Sequence, residues 1–209
     1  NEANPEAQSF THPDFDPVWE RFGEKDVPVI LHIAVNGHYD PVSPSFKNNG
    51  RGSTALGGDA PDSNLGLVAM HNSAELFLSA MIFDEVFERH DRLRCLSLEH
   101  GASWVPGWLH KLDFVERSAR HIAPRNRRAS DVARERVRFA PFAGEPVGWL
   151  IEQLGPEMLC FASDYPHPEG SSDPIRKFES TMEGVDPTAV EAFYAGNVER
   201  FLGDVPVTI

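Results

Sequence analysis

Short apolar runs alternate along this chain with stretches in which apolar residues return every three or four positions. That order predicts strands and helices in turn, and strands separated by helices predict a parallel α/β sheet. The runs at 27–34, 92–98, 136–142 and 158–163 read as buried strands. Helical spacing covers 14–24, 104–121, 147–154 and 188–202, the last with Val190, Phe193, Tyr194, Val198 and Phe201 on one broad face. A further helix is expected from 72 to about 90, opened by Asn72 and Glu75 as a capping box and turning Leu76, Ala80, Phe83 and Phe87 inward. Residues 37–61 pass through eight glycines and prolines with few large apolar side chains, which predicts a long insertion loop. No internal repeat is visible.

Composition narrows the partners. With 19 Lys and Arg against 32 Asp and Glu the net charge is −13, which argues against nucleic acid or an anionic membrane as a general partner. The exception is residues 111–138, where nine basic and four acidic residues give +5. That stretch reads first as a solvated loop and helix face, and second as a means of holding an acidic substrate. Cys95 and Cys160 both lie in apolar runs, as in a reduced, cytoplasmic protein. No run reads as a membrane span or signal peptide, and the first residue is Asn, which suggests a processed or partial sequence.

The chemistry concentrates at strand exits. Cys160 to Gly170 runs Cys-Phe-Ala-Ser-Asp-Tyr-Pro-His-Pro-Glu-Gly: an apolar run stops at Asp164, and two prolines then forbid further pairing. Catalytic groups of α/β barrels sit where strands end. His32, His100, Asp164 and His167 all occupy such ends, so parallel strands would bring them to one rim. Alternation puts Ala162 and Cys160 on the side of Asp164, and Phe161 and Leu159 on the other. Imidazole with carboxylate is a donor set for zinc or a similar divalent ion, which activates water near neutral pH. The remaining histidines, 12, 38, 71, 90, 110 and 121, read as surface or packing residues. There is no Gly-x-Ser-x-Gly elbow, P-loop, dinucleotide fingerprint or CxxC pair.

Several phrases, in order, resemble the amidohydrolase-related proteins, the branch of the amidohydrolase superfamily that includes decarboxylases of aromatic or unsaturated acids. They are His-Pro-Asp-Phe-Asp-Pro-Val-Trp at 12–19, Val-Pro-Val-Ile-Leu-His at 27–32 and Val-Phe-Glu-Arg-His-Asp-Arg-Leu-Arg at 86–94. Leu-Glu-His-Gly-Ala-Ser-Trp-Val-Pro at 98–106, Phe-Ala-Ser-Asp-Tyr-Pro-His-Pro at 161–168 and Ala-Gly-Asn-Val-Glu-Arg-Phe-Leu at 195–202 continue the series. The resemblance implies a TIM-barrel-like metal-dependent hydrolase fold, of which 1–209 would form only strands five to eight with their helices. It also implies His32 and Asp164 as metal ligands, with Asp164 taking a proton and His100 acting as general acid, base or polarising group. Glu99 and His167 would be outer or substrate-facing groups, and the ion would be zinc before manganese or iron.

The family's His-x-His pair is absent from these 209 residues. A half-barrel is therefore expected, completed by a second copy or by a missing N-terminal half. The implied activity is metal-dependent hydrolysis or non-oxidative decarboxylation of a small, carboxylate-bearing substrate. The competing reading is a catalytically silent half-barrel that serves assembly or binding.

Overall fold

The structure is a computed structural model that describes residues 7–33, 42–48, 50, 52, 63–167 and 170–203. After a 3-10 turn at Pro13–Phe15 come helix α1 (Asp16–Glu24) and strand β1 (Val29–Leu31). Short helices α2 (Pro44–Lys47) and α3 (Asn64–Ala69) precede α4 (Asn72–Phe83), α5 (Val86–Arg89) and strand β2 (Cys95–Ser97). Helices α6 (Val105–Ala119) and α7 (Ala129–Arg136) lead to β3 (Val137–Phe139). Then follow α8 (Val147–Leu154), α9 (Pro174–Glu179), α10 (Pro187–Glu191), a π-helical turn (Ala192–Gly196) and α11 (Asn197–Leu202). The predicted loop 37–61 lies mostly outside the described residues, and α2 falls within it.

The three strands form a parallel sheet in the order β1-β2-β3, with Val29 beside Cys95 and Cys95 beside Val137. Each ladder is three residues long, shorter than the apolar runs predict, and Pro28 and Pro141, which lack an N–H, bracket the sheet. The expected fourth strand needs correction. Residues 158–163 form no ladder and join the sheet only through an isolated parallel bridge, Phe139 to Leu159. The Phe161 N–H turns instead to the Phe193 carbonyl, 2.9 Å away in the π-helical turn, so the ladder cannot propagate.

The helix at 72 keeps its place but not its rotation. Leu76 is 70% exposed, whereas Ala74, Leu78, Met81 and Ile82 are buried. The segment is apolar on nearly every side, so periodicity does not select a face. Tertiary pairs do: Lys111 binds Glu75, and the Trp108 Nε1–H donates to Ser79 Oγ at 3.0 Å. The capping box is not formed either, because His71 is the N-cap and Asn72 already the first helical residue. Phe87 is buried on a separate helix, after Glu85 breaks the first in a left-handed conformation. By length and mean hydropathy, 1.3, the helical run Asn64–Phe83 would suffice to cross a bilayer, contrary to the expectation of no such run. Core helices meet the same criterion, and Leu78, Met81 and Ile82 are core residues here.

Two aromatic groups anchor the packing. Trp104 and Trp108 meet Phe139 edge-on, with ring centroids 5.5 and 6.0 Å apart, so α6 is pinned to β3. Phe161, Phe178, Phe193 and Tyr194 form the second group under the 158–164 segment. Leu159 and Phe161 join this main core while Cys160 packs with Leu96 and Phe201, in keeping with the predicted alternation. The 188–202 helix is interrupted by its π-helical turn. Buried Asn197, just beyond it, donates from Nδ2 to the carbonyls of Pro156 and Leu159, at 2.6 and 2.7 Å.

Candidate metal centre

Each candidate side chain is delivered by the end of a strand or of the 158–164 segment. His32 directly follows β1, Glu99 and His100 lie two and three residues beyond β2, and Asp164 ends the 158–164 segment. Glu99 and Asp164 both leave their segments in left-handed backbone, φ 58° and 52°. Non-glycine residues seldom adopt that region, at a cost of order 1–3 kcal/mol each, and such costs gather where a side chain must be aimed. Gly170 closes the corner: a Cβ there would stand 2.1 Å from the Asp164 carbonyl oxygen. His167 donates its N–H to that carbonyl at 2.9 Å, and the Tyr165–Pro166 bond between them is cis.

Glu99 is the hub of the resulting cluster. Its Oε1 lies 3.2 Å from His32 Nε2 and 3.3 Å from His167 Nδ1, and His167 Nδ1 lies 3.5 Å from Asp164 Oδ1. Ligand atoms of Glu99, Asp164 and His167 all fall within 4.8 Å of one another. Donors about 2.1 Å from a shared ion stand up to about 4 Å apart, so little movement would be needed. Burial, and then the hydrogen bond and charge of Glu99, push the Asp164 carboxyl up to about 6. Glu99 Oε2 and Asp164 Oδ2 are buried without a hydrogen-bond partner among the described residues. Two facing carboxylates with unpartnered oxygens are costly unless a cation neutralises them, so these residues fit a divalent ion. His32 is 56% exposed at its side chain, the most open member of the group.

His100 stands apart from that triad and is nearly enclosed. Its Nδ1 lies 3.0 Å from Ser97 Oγ, while its buried Nε2 has no partner among the described residues. Burial, and then the charges of His32 and His71, push the imidazole down to about 4, so it is neutral at pH 7. Of the other histidines, His71 stacks on Trp104 and His90 Nε2 contacts Asp16 at 3.1 Å, whereas His38 lies outside the described residues. Beside Glu99 and Asp164 opens a cavity of about 270 Å³, walled by Ala140, Pro141, Phe142 and Ala143. No arginine of the 111–138 stretch lines it: Arg125 binds Glu88, Arg127 binds Glu135 and Arg128 binds Asp113.

One residue at this rim had no sequence signal. The Glu145 carboxylate accepts the N–H groups of Ala102, Ser103 and Phe142, at 2.7 to 3.1 Å, and so ties the exit of β2 to that of β3. Its partners at Ala102 and Ser103 lie more than 40 residues away in sequence, beyond any local motif. Gly101 (φ 64°) completes the cradle, since a Cβ there would meet the Glu145 oxygens at 3.1 and 3.2 Å. Glu145→Gln turns an acceptor into a donor facing donors and is expected to cost about 2 kcal/mol in urea unfolding. A loss below about 0.5 kcal/mol would show that the tie is dispensable.

A family model described as amidohydrolase matches residues 1–203. No curated protein gives a significant match. Among solved structures, an amidohydrolase from Mycobacterium avium subsp. paratuberculosis superposes with a TM-score of 0.76 at 23% identity, over 96% of this chain and 47% of that one. The 5-carboxyvanillate decarboxylase of Sphingomonas paucimobilis gives 0.66 at 22%, over 93% and 55%. A dihydroxybenzoic acid decarboxylase from a Polaromonas species, solved with bound manganese and the inhibitor 2-nitroresorcinol, gives 0.67 at 17%, over 96% and 57%. The chain thus spans about half the length of the solved structures it matches. A parallel sheet with its acids and imidazoles at the strand exits, under a family match that runs nearly end to end, leads to one conclusion: the chain belongs to the amidohydrolase family.

Proposed function

We propose that this chain carries part of a divalent-metal site used for hydrolysis or non-oxidative decarboxylation of a small, carboxylate-bearing substrate. The observation that carries the reading is the Glu99–Asp164–His167 cluster, with two buried carboxylate oxygens that no donor among the described residues meets. Asp164, Glu99 and His167 hold the ion, and His32 joins them through its contact with Glu99. Oxygen-rich donors with imidazole suit manganese as well as zinc. When bound, the ion polarises a substrate oxygen and offsets the charge that develops there. His100, neutral and with an unpartnered Nε2, holds or accepts a proton on the substrate side. The apolar wall at 140–143 excludes water from the substrate body. Solved relatives named as decarboxylases of substituted benzoic acids support the substrate class, and residues outside this chain or in a second copy would supply further ligands.

Metal analysis tests the reading. The purified 209-residue chain, stripped and then dialysed against Mn²⁺ or Zn²⁺, is expected to retain near one ion per chain. Retention of none would favour a catalytically silent assembly or binding module, a reading that the exposure of His32 and of Ile30 on the β1 edge supports.

A further inference from the structure

The strand exit that carries Glu99 is held from both sides, and one of its holders belongs to no candidate ligand set. Ahead of Glu99, the Leu98 N–H donates to the Leu31 carbonyl at 2.8 Å. Behind it, the N–H groups of Ala102 and Ser103 end on Glu145. Between these ties lie Glu99 and Gly101, both in left-handed backbone, φ 58° and 64°. The carbonyls of His100 and Gly101 share one donor there, the indole Nε1–H of Trp104, at 3.2 and 3.1 Å. No other hydrogen bond reaches either carbonyl among the described residues.

The indole is itself fixed in place. It stacks on His71, the N-cap of α4, with ring centroids 5.3 Å apart, meets Phe139 of β3 edge-on at 5.5 Å and lies 5.5 Å from Trp108 of α6. Packing of that kind needs an aromatic ring but not an indole nitrogen. The N–H is used only on the exit loop. Left-handed backbone at a residue such as Glu99 persists only where the surroundings over-determine it, and the shared bond supplies that constraint at the next two residues.

We infer that Trp104 is a positioning residue for the metal centre: by holding the His100 and Gly101 carbonyls it keeps Glu99 in the backbone conformation that aims its carboxylate at His167 and Asp164. The inference rests on the reading of Glu99, Asp164 and His167 as metal ligands. Groups that orient ligands without touching the ion are worth about 10–100-fold in metal affinity, and a bond divided between two carbonyls belongs at the lower end.

Two measurements on the 209-residue chain test it. Hydrogen exchange of the metal-free protein reads the tie: Trp104→Phe should speed exchange at the Ala102 and Ser103 amides about tenfold while the amides of α8 stay within about twofold. Calorimetric titration with Mn²⁺ reads the consequence, an affinity about tenfold weaker than wild type. Trp108→Phe is the control, because it removes a different indole bond, to Ser79 Oγ, from the same aromatic group. That variant should keep its Mn²⁺ affinity within about twofold even though it loses core packing. Site-specific replacement of Trp104 by 3-benzothienylalanine, which puts sulfur where the N–H was and preserves the ring shape, gives the same reading if the Phe variant does not fold. Wild-type protein that retains no Mn²⁺ overturns the metal reading and this inference together. If wild type binds Mn²⁺, the inference alone is overturned by a Trp104 variant that binds as well, by equal losses for Trp104→Phe and Trp108→Phe, or by unchanged exchange at Ala102 and Ser103.

Discussion

Replacing Asp164 with asparagine is expected to lower Mn²⁺ affinity about 100-fold or more while the protein stays folded. Outer groups that merely orient ligands are worth about 10–100-fold in metal affinity, and a carboxylate that donates an oxygen directly should stand at or above the top of that range. The amide has the same shape but carries no charge, so the loss reports electrostatics rather than packing. The metal-free protein should respond in the opposite direction. Asp164 and Glu99 repel one another, and burial penalises the Asp164 anion further, so Asp164→Asn in EDTA at pH 7 should melt no lower than wild type. Titration calorimetry with Mn²⁺, paired with melting curves in EDTA, checks both halves. Undiminished affinity would remove Asp164 from the ligand set, and a collapsed metal-free fold would make its role structural. In a longer protein that completes the site, the same substitution and His32→Ala should each abolish most turnover.

The second large effect concerns His100 and acid. Its folded value of about 4 lies below the unfolded value of about 6.5, so the unfolded chain binds the extra proton first. Stability contributed by neutral His100 is therefore complete above pH 6.5 and is lost as pH falls from 6.5 to 4, to a total of about 3 kcal/mol. Asp164 has the reverse sign. Its value of about 6 lies above the unfolded 3.8, so the metal-free fold loses stability as pH rises from 3.8 to 6. The two slopes oppose each other, and the wild-type curve alone will look flat. Urea unfolding of His100→Gln across pH 4–7 exposes the difference, because the variant keeps only the Asp164 slope and should become relatively more stable than wild type toward pH 4. Parallel curves for the two proteins would mean that His100 is not held neutral by burial. The neutral state matters for the proposed chemistry, since an imidazolium at pH 7 could not accept a proton at Nε2.

Much of the fold was legible because local pattern and tertiary outcome agree where a segment is apolar on one side only. The helix at 147–154 matches the predicted bounds, and the first three strands sit inside their predicted runs. The α4 rotation was not legible, because Leu76 and Leu78 are equivalent to any periodicity and only Lys111 and Trp108, on another helix, distinguish them. Helix α7 hid within an arginine-rich stretch whose charges are matched by residues up to 40 positions away. The fourth strand failed for a related reason: its sequence permits pairing, but the Phe193 carbonyl takes the N–H that a ladder would use.

The same division holds at the site. Sequence by itself determined the family resemblance and the position of Asp164, because prolines at 166 and 168 and an acid closing a buried run leave a local trace. It also placed His32, Glu99, His100 and His167 at the ends of extended runs, since strand exits follow from apolar patterning. Tertiary structure alone decided that Glu99 is the hub between His32 and His167 and that Glu145 ties two rim loops together. Those facts depend on through-space distances and on which donors are left unpaired after folding. Neither quantity is carried by residue order, because contacts between segments 40 or more positions apart are fixed only when the strands align and the helices pack.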